Sequence, residues 1–429
     1  MLSNLFLQLI AVVMIFVALI LRPLAPPTRA GKRLLILLGL MFGVVLVQLV
    51  PLPPSIWTSL PGRGPVAQGF ELLGQPLPWL SLSLAPHDTI ASALWLLPPV
   101  GVLLWVLRRG VRESWIAWVL VATMILSVLV GAMQITGGEE SPWYFYRITN
   151  YGVTVGFFAN ANHMATFLLV TVPFLGALYM ALRGSGRSTQ KSAGLAVILG
   201  GFYALVIVGL GINGSLAGLG LMIPVTGATV LLMLRGRRIP VWAVALVLLL
   251  AAGSVAAVFS GRFDNNLISQ EAQSSALSRY TTFTTSLEAA KDHLPFGSGI
   301  GTFQAIYRTY EDPTQVTDTY INHVHSDWIE IVLETGLLGA AVLLLFLVWW
   351  GRRVLAIWRS PDPDYYARAA TIATAAILAH SLVDYPIRTV AISAIFAVCC
   401  ALMAGRGIAP PRESQRAAAK RPARHLEAD

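Results

Sequence analysis

Charge is what this chain has least of. Asp, Glu, Lys and Arg make up 12% of its 429 residues, while 56% are hydrophobic. Mean hydropathy is +0.68. So little charge excludes a water-soluble globule, whose surface would need about twice as much. Cysteine is nearly absent. Cys399 and Cys400 are neighbours, so no structural disulfide is expected, and the bilayer takes over the ordering role. A nucleotide loop is missing too: Gly297-x-Gly299-x-Gly301 has neither a preceding strand nor a Walker lysine and reads as a turn. No polar stretch is long enough for a soluble catalytic domain, and no internal repeat is visible. Any chemistry must be built from spans and outer loops.

What the chain has is apolar runs. Eleven of them, 17 to 24 residues long, fall at about 2–21, 34–50, 90–107, 114–135, 160–182, 193–211, 215–234, 239–260, 328–351, 366–384 and 388–405. That length crosses a hydrocarbon core of ~30 Å. The first run has no basic residue before it and several after, which reads as an anchor rather than a cleaved signal. Positive charge then sets the orientation. Segments 51–89, 136–159, 212–214, 261–327 and 385–388 hold only seven of the 30 Lys and Arg. They belong outside, with the start of the chain outside and its end in the cytoplasm. The net charge of +9 is therefore mostly topology, and no nucleic-acid partner is expected.

The reading is an all-α polytopic membrane protein of about 11–12 transmembrane helices with one large outer loop. Residues 1–260 form an N-terminal bundle of about eight spans, including an apolar, proline-broken outer segment at 51–89. Residues 261–327 form the large outer loop, with helices expected at 274–292 and 302–310. Residues 328–405 form the C-terminal spans, and 406–429 a disordered basic tail.

Titratable groups gather where the outer loop enters the ninth span, in Asn322-His323-Val324-His325-Ser326-Asp327-Trp328-Ile329-Glu330 and on to Glu334. Ionisable groups at such a place mark a pathway or a reaction site. His325 has the chemistry of a general base toward a hydroxyl, or of an interfacial anchor. The His-x-His-x-Asp string also has divalent-metal ligand types. Asp327 and Glu330 suit the first helical turn as cap and dipole partners; Glu334, one turn deeper, has no such role. His380 and Asp384 stand i, i+4 on one helix face, as an oriented base or as a satisfied pair. Asn160, Asn162 and His163 precede the fifth span, to cap it or to line a polar cavity. Arg279 is the outer cation suited to bidentate phosphate binding. Arg147, Arg262, Arg308 and Arg388 are the other outer arginines considered.

Three motifs carry a resemblance. Gly156-Phe157-Phe158-Ala159-Asn160-Ala161-Asn162-His163 is the first. Arg279 followed by Pro295-Phe296-Gly297-Ser298-Gly299-Ile300-Gly301-Thr302-Phe303 is the second. His325-Ser326-Asp327-Trp328-Ile329 with Glu334-Thr335-Gly336-Leu337-Leu338-Gly339 is the third, and the most specific. In this order they resemble the O-antigen ligase and Wzy-type polymerase superfamily of bacterial envelope glycan assembly, over roughly residues 150–400.

The resemblance implies a GT-C-like fold and metal-independent, inverting glycosyl transfer at the periplasmic face of the inner membrane, with no cofactor. The donor would be a glycan on undecaprenyl diphosphate. The acceptor would be a lipid A core or a second lipid-linked repeat. Membrane lipids are implied partners, and a chain-length regulator is a further candidate. On this analogy His325 deprotonates the acceptor and Arg279 holds the donor diphosphate. His323, Asp327, Glu334, Asn160, Asn162, His163, His380, Asp384, Arg388 and Arg147 line the substrate site. The pairing of His323-x-His325 with His380, Asp384-Tyr385-Pro386 and Arg388 leans toward exopolysaccharide polymerases. One position departs: in Asn213-Gly214-Ser215-Leu216-Ala217-Gly218 the family's second arginine is replaced by Leu216. The competing function is a multi-span transporter of an anion or a lipid-linked glycan.

Overall fold

In a computed structural model of the protein, residues 2–183, 189–234, 240–260, 270–314, 316 and 321–405 are described. The expected basic tail at 406–429 and parts of the outer loop lie outside these residues. In chain order the helices are α1 (Leu2–Ile20), α2 (Arg29–Gln48), α3 (Pro54–Trp57), α4 (Gly64–Leu72), α5 (Pro86–Trp95), α6 (Leu97–Arg109), α7 (Glu113–Thr136) and α8 (Ala161–Arg183). They continue with α9 (Thr189–Asn213), α10 (Leu216–Met233), α11 (Val241–Ser260), α12 (Gln270–His293), α13 (Phe303–Tyr310), α14 (Asp327–Trp358), α15 (Tyr365–His380) and α16 (Val390–Ala404).

The chain is an all-α polytopic membrane protein. Among the described residues eight helical stretches are long and apolar enough to cross a bilayer; α1 and α16 are shorter apolar helices. With α15, of 16 residues, they occupy the positions of the eleven runs. The segment 51–89, expected outside, does not span. It folds as α3, α4 and a two-residue ribbon in which Pro51 pairs with Ser81 and Leu52 with Leu80. Its prolines explain this, since each removes a backbone donor that a spanning helix would need.

The helix α8 is the central post. Its residues from His163 to Leu178 are all buried, and it packs against α7, α9, α10 and α15. A helix apolar on every side belongs inside a bundle, not on its rim. Its first turn carries the polar residues that matter below.

The helix α14 is broken where the sequence reads as continuous. Gly336 sits at φ 59, ψ −151, a conformation nearly reserved for glycine. A break inside a membrane frees backbone groups, and each must be paired again. The glycine turn after Pro295 does this. Ser298 N donates to Leu333 O at 3.0 Å, Gly299 N to Glu334 O at 2.9 Å, and Leu337 N donates to Pro295 O at 2.8 Å. Gln48 at the end of α2 adds Nε2 to Glu334 O at 2.8 Å. A side chain at Gly297 would put Cβ 2.6 Å from Glu334 O. The Gly-x-Gly-x-Gly stretch is thus a turn, as expected. It plugs the kink and aims the first two turns of α14.

Candidate functional site

The kinked start of α14, the first turn of α8, the start of α10 and the link between α15 and α16 meet at one end of the bundle. Two buried carboxylate networks form there, with Tyr385 between them.

The first is centred on Asp384. This residue lies just past the end of α15 and is 1% exposed. Its Oδ1 accepts from Tyr385 N at 2.7 Å, and its Oδ2 accepts from Asn162 Nδ2. His325 Nδ1 stands 3.7 Å from Oδ1 and His163 Nε2 3.8 Å from the same atom. Asn162 is itself held, because its Oδ1 accepts from Ser215 Oγ at 2.6 Å. His163 Nδ1 pairs with Thr389 Oγ1 at 2.8 Å. His325 is the one non-glycine residue with positive φ, at 60°, among the described residues. Such backbone strain is kept only where the surroundings over-determine it, and it concentrates at functional sites. The side chain of His325 is 28% exposed and that of His163 8%. Of the two imidazoles beside Asp384, His325 is the more exposed.

The second network is centred on Arg388. Its Nη2 donates to Glu334 Oε2 at 2.8 Å. Nη1 lies 3.2 Å from Glu330 Oε1, and Nε 3.7 Å from Asp327 Oδ1. Each carboxylate has a second anchor. Asp327 Oδ2 accepts from Ser381 Oγ at 2.8 Å, Glu330 Oε2 from Val324 N at 3.0 Å and Glu334 Oε1 from Gly301 N at 2.9 Å. Glu330 Oε1 also takes His323 Nδ1 at 2.8 Å.

Tyr385 fills the space between. Its ring centroid is 4.4 Å from that of His323, 4.9 Å from His163 and 5.0 Å from His325. Its hydroxyl is within reach of Asn322 at 3.3 Å and Asn160 at 3.5 Å. Burial, with the charge of Asp384, pushes its phenol up to about 12, so it stays protonated at neutral pH.

Arg279 approaches from α12. It is half-buried, its charge acts on both Asp384 and His380, and its Nε has no hydrogen-bond partner among the described residues. Among the described residues no ion pair ties it to a carboxylate.

The structure thus brings together His325, Arg279, His323, Asp327, Glu334, Asn160, Asn162, His163, His380, Asp384 and Arg388. It corrects several readings. Arg147 is exposed on the loop after α7, where its carbonyl takes the Tyr151 hydroxyl at 3.0 Å; nothing joins it to the cluster. His380 does not use Asp384: its Nδ1 meets Thr166 Oγ1 at 2.8 Å, because the chain turns out of α15 before Asp384. The N-cap of α14 is Ser326, so Asp327 and Glu330 are free to face Arg388. The His-x-His-x-Asp string does not converge, since its members turn to Glu330, Asp384 and Ser381. Among the described residues no set of three His, Cys, Asp or Glu is arranged to hold a metal ion. Leu216 faces away, into an apolar groove of ≈ 460 Å³ between α10 and α11.

Tyr385, Asn322, Thr166 and Ser215 join the site although none is a candidate site residue in the sequence. Tyr385 and Asn322 are chain neighbours of Asp384 and His323, which is the nearest thing to a pointer. No spacing rule leads to Thr166 or Ser215.

Residues 195–344 match a family model described as O-Antigen ligase. That segment is similar to O-antigen ligases. The match runs from α9 to the middle of α14 and carries Arg279, His325 and the three carboxylates of α14. Asn160–His163 and His380–Arg388 lie outside it and join the O-antigen ligase-related segment only in the folded bundle. No curated protein matches the chain.

Proposed function

We propose that this protein is an inner-membrane glycosyltransferase whose reaction centre is the Asp384 network at the periplasmic end of the bundle. The donor is a glycan on undecaprenyl diphosphate. The acceptor is a hydroxyl of a lipid A core or of a second lipid-linked repeat. His325 takes the proton from that hydroxyl as its oxygen attacks the anomeric carbon. The bond from that carbon to the diphosphate oxygen breaks, its electron pair leaves with undecaprenyl diphosphate, and the configuration inverts. Arg279 meets the charge that builds on the leaving diphosphate. The Asp384 carboxylate, 3.7 Å from His325 Nδ1, favours a proton on that nitrogen, which leaves Nε2 as the basic atom.

One observation carries the reading. A strained histidine, partly open to the surroundings, is backed by a fully buried carboxylate and faced by a guanidinium with no ion pair among the described residues. The transporter reading is weaker, because these groups gather at one end of the bundle and not at its middle.

The test is the glycolipid profile of a deletion strain complemented with wild type or His325→Ala. His325→Ala should be present in the membrane and lose product by roughly 10²- to 10⁴-fold. Accumulated single lipid-linked repeats identify a polymerase. Long lipid-linked polymer that never reaches lipid A core identifies a ligase. Normal product from His325→Ala would sink the reading.

A further inference from the structure

Two partly exposed imidazoles of the site each stand beside a buried carboxylate, His323 hydrogen-bonded to its own and His325 at a longer distance, and a single general base accounts for only one. His325 presents Nδ1 to Asp384 at 3.7 Å. His323 presents Nδ1 to Glu330 at 2.8 Å. The two side chains are 28% and 27% exposed, and each carboxylate is 1% exposed. Both rings lie against Tyr385, at 5.0 and 4.4 Å between centroids. A buried carboxylate is costly to desolvate, and the fold sets one beside each of the two rings.

Glu330 is held more firmly than orienting a surface ring would need. Arg388 Nη1 is 3.2 Å from its Oε1, and Val324 N donates to its Oε2 at 3.0 Å. His323 is thereby fixed, with Nδ1 donating to Glu330. In an imidazole with one proton, the far nitrogen, Nε2, is then a hydrogen-bond acceptor. An acceptor fixed beside a general base suits a second hydroxyl. Sugars carry several hydroxyls on one rigid ring, and the base alone does not choose among them.

We infer that His323 is a specificity-determining residue that binds a second hydroxyl of the acceptor sugar while His325 deprotonates the reacting one, so that the pair sets which hydroxyl is glycosylated. This rests on the proposed glycosyl transfer. His323 transfers no proton in the reaction. Tyr385 packs against both rings. The acceptor class is a sugar with two free hydroxyls on one face, as opposed to a single alcohol.

The roles differ in what a glutamine can replace. A glutamine amide both donates and accepts hydrogen bonds, but it does not take a proton. The experiment uses membranes containing full-length protein and, as substrate, the lipid-linked glycan extracted from cells that lack it. Product is quantified, and its linkages are mapped by methylation analysis. His323→Ala should raise KM roughly tenfold, the order of a lost hydrogen bond to a substrate hydroxyl. It should change kcat by less than about threefold and yield mixed linkages. His323→Gln should restore KM and a single linkage. His325→Gln should make no product.

A single native linkage with unchanged KM in His323→Ala would overturn the inference. So would a kcat collapse in both His323 variants, which would mean proton transfer. If His323→Ala does not accumulate, His323→Gln decides: native linkage and KM uphold the inference, and mixed linkage or a lost kcat overturns it. Full activity in His325→Gln would bring down the function itself; a dead His325→Gln beside a wild-type His323→Ala removes only the present inference.

Discussion

The Asp384 and Arg388 networks lie on either side of one tyrosine, yet they are built on opposite terms. Asp384 is surrounded by an amide, a backbone N–H and two imidazoles. None of these partners carries a permanent charge, and one of them, His325, is partly exposed. Arg388 is surrounded by three carboxylates, each tied down a second time. Its two terminal nitrogens are engaged by Glu330 and Glu334, and its Nε lies 3.7 Å from Asp327 without a hydrogen bond. An arginine in that state holds elements together and has little left for a phosphate. Arg388 joins the α15–α16 link to α14, while Arg279, also near the cluster, has no such set of partners among the described residues. Proximity to a site therefore does not assign a role: Nε is unpaired in both arginines, and what separates them is that Arg388 is neutralised by three carboxylates.

The sharpest way to break the comparison is to remove the holding cation. Arg388→Ala leaves three buried carboxylates without their counter-ion. Losing one partner of a buried ion pair costs about 3–5 kcal/mol, and here three pairs are lost at once. The expected outcome is loss of folded protein from the membrane, read by its level and by the unfolding temperature of the purified protein. Arg388→Lys should fare little better, because a point charge does not span three acceptors. An Arg388→Ala protein that accumulates normally and fails only in donor binding would move Arg388 to the substrate side.

The next test is on the open side. Arg279→Lys keeps one positive charge but loses the planar fork that matches two phosphate oxygens. Activity should fall roughly 10- to 100-fold, with protein level and unfolding temperature unchanged. Full activity would make Arg279 a surface cation and leave the leaving group without a partner among the residues of the site. The two arginines thus separate by readout: one variant is scored by how much protein survives, the other by how much product the surviving protein makes.

Which of these facts the sequence could show depends on their range. Local periodicity was enough for the elements. The helix expected at 274–292 is α12, Gln270–His293, and the one expected at 302–310 is α13, Phe303–Tyr310. The candidate residues were legible as well, because an ionisable side chain among apolar spans stands out without any structure. Their partners were not. Asn162 and Asp384 are 222 residues apart, His380 and Thr166 214, and no spacing rule links them. His380 and Asp384, four apart, read as a helical pair, but the chain leaves the helix between them. The kink at Gly336 was hidden for a related reason. A glycine permits positive φ without requiring it, and what requires it here is the backbone of 295–299, some forty positions earlier in the chain. Ser326 and Asp327 are both good capping types; only the presence of Ser381 and Arg388 shows which one is otherwise engaged.

The smallest effect is expected at Leu216, and it sharpens the comparison from a third side. The side chain opens the first turn of α10 and lines the groove with Leu219, Gly220, Leu249, Leu250 and Gly253. Its neighbour Ser215 faces the other way, to Asn162. One step along the chain thus separates the polar cluster from an apolar surface. An arginine at 216 would lay its methylene stem in the groove and carry its head toward the membrane surface. Leu216→Arg should therefore fold, and its activity should stay within about threefold of wild type. A gain well beyond that would mean the new guanidinium reaches the leaving diphosphate, and that Arg279 alone leaves charge unmet there. A misfolded product would mean that the groove is closed around Leu216. The expected near-neutrality follows from direction alone: the cluster is entered from Ser215, and Leu216 points elsewhere.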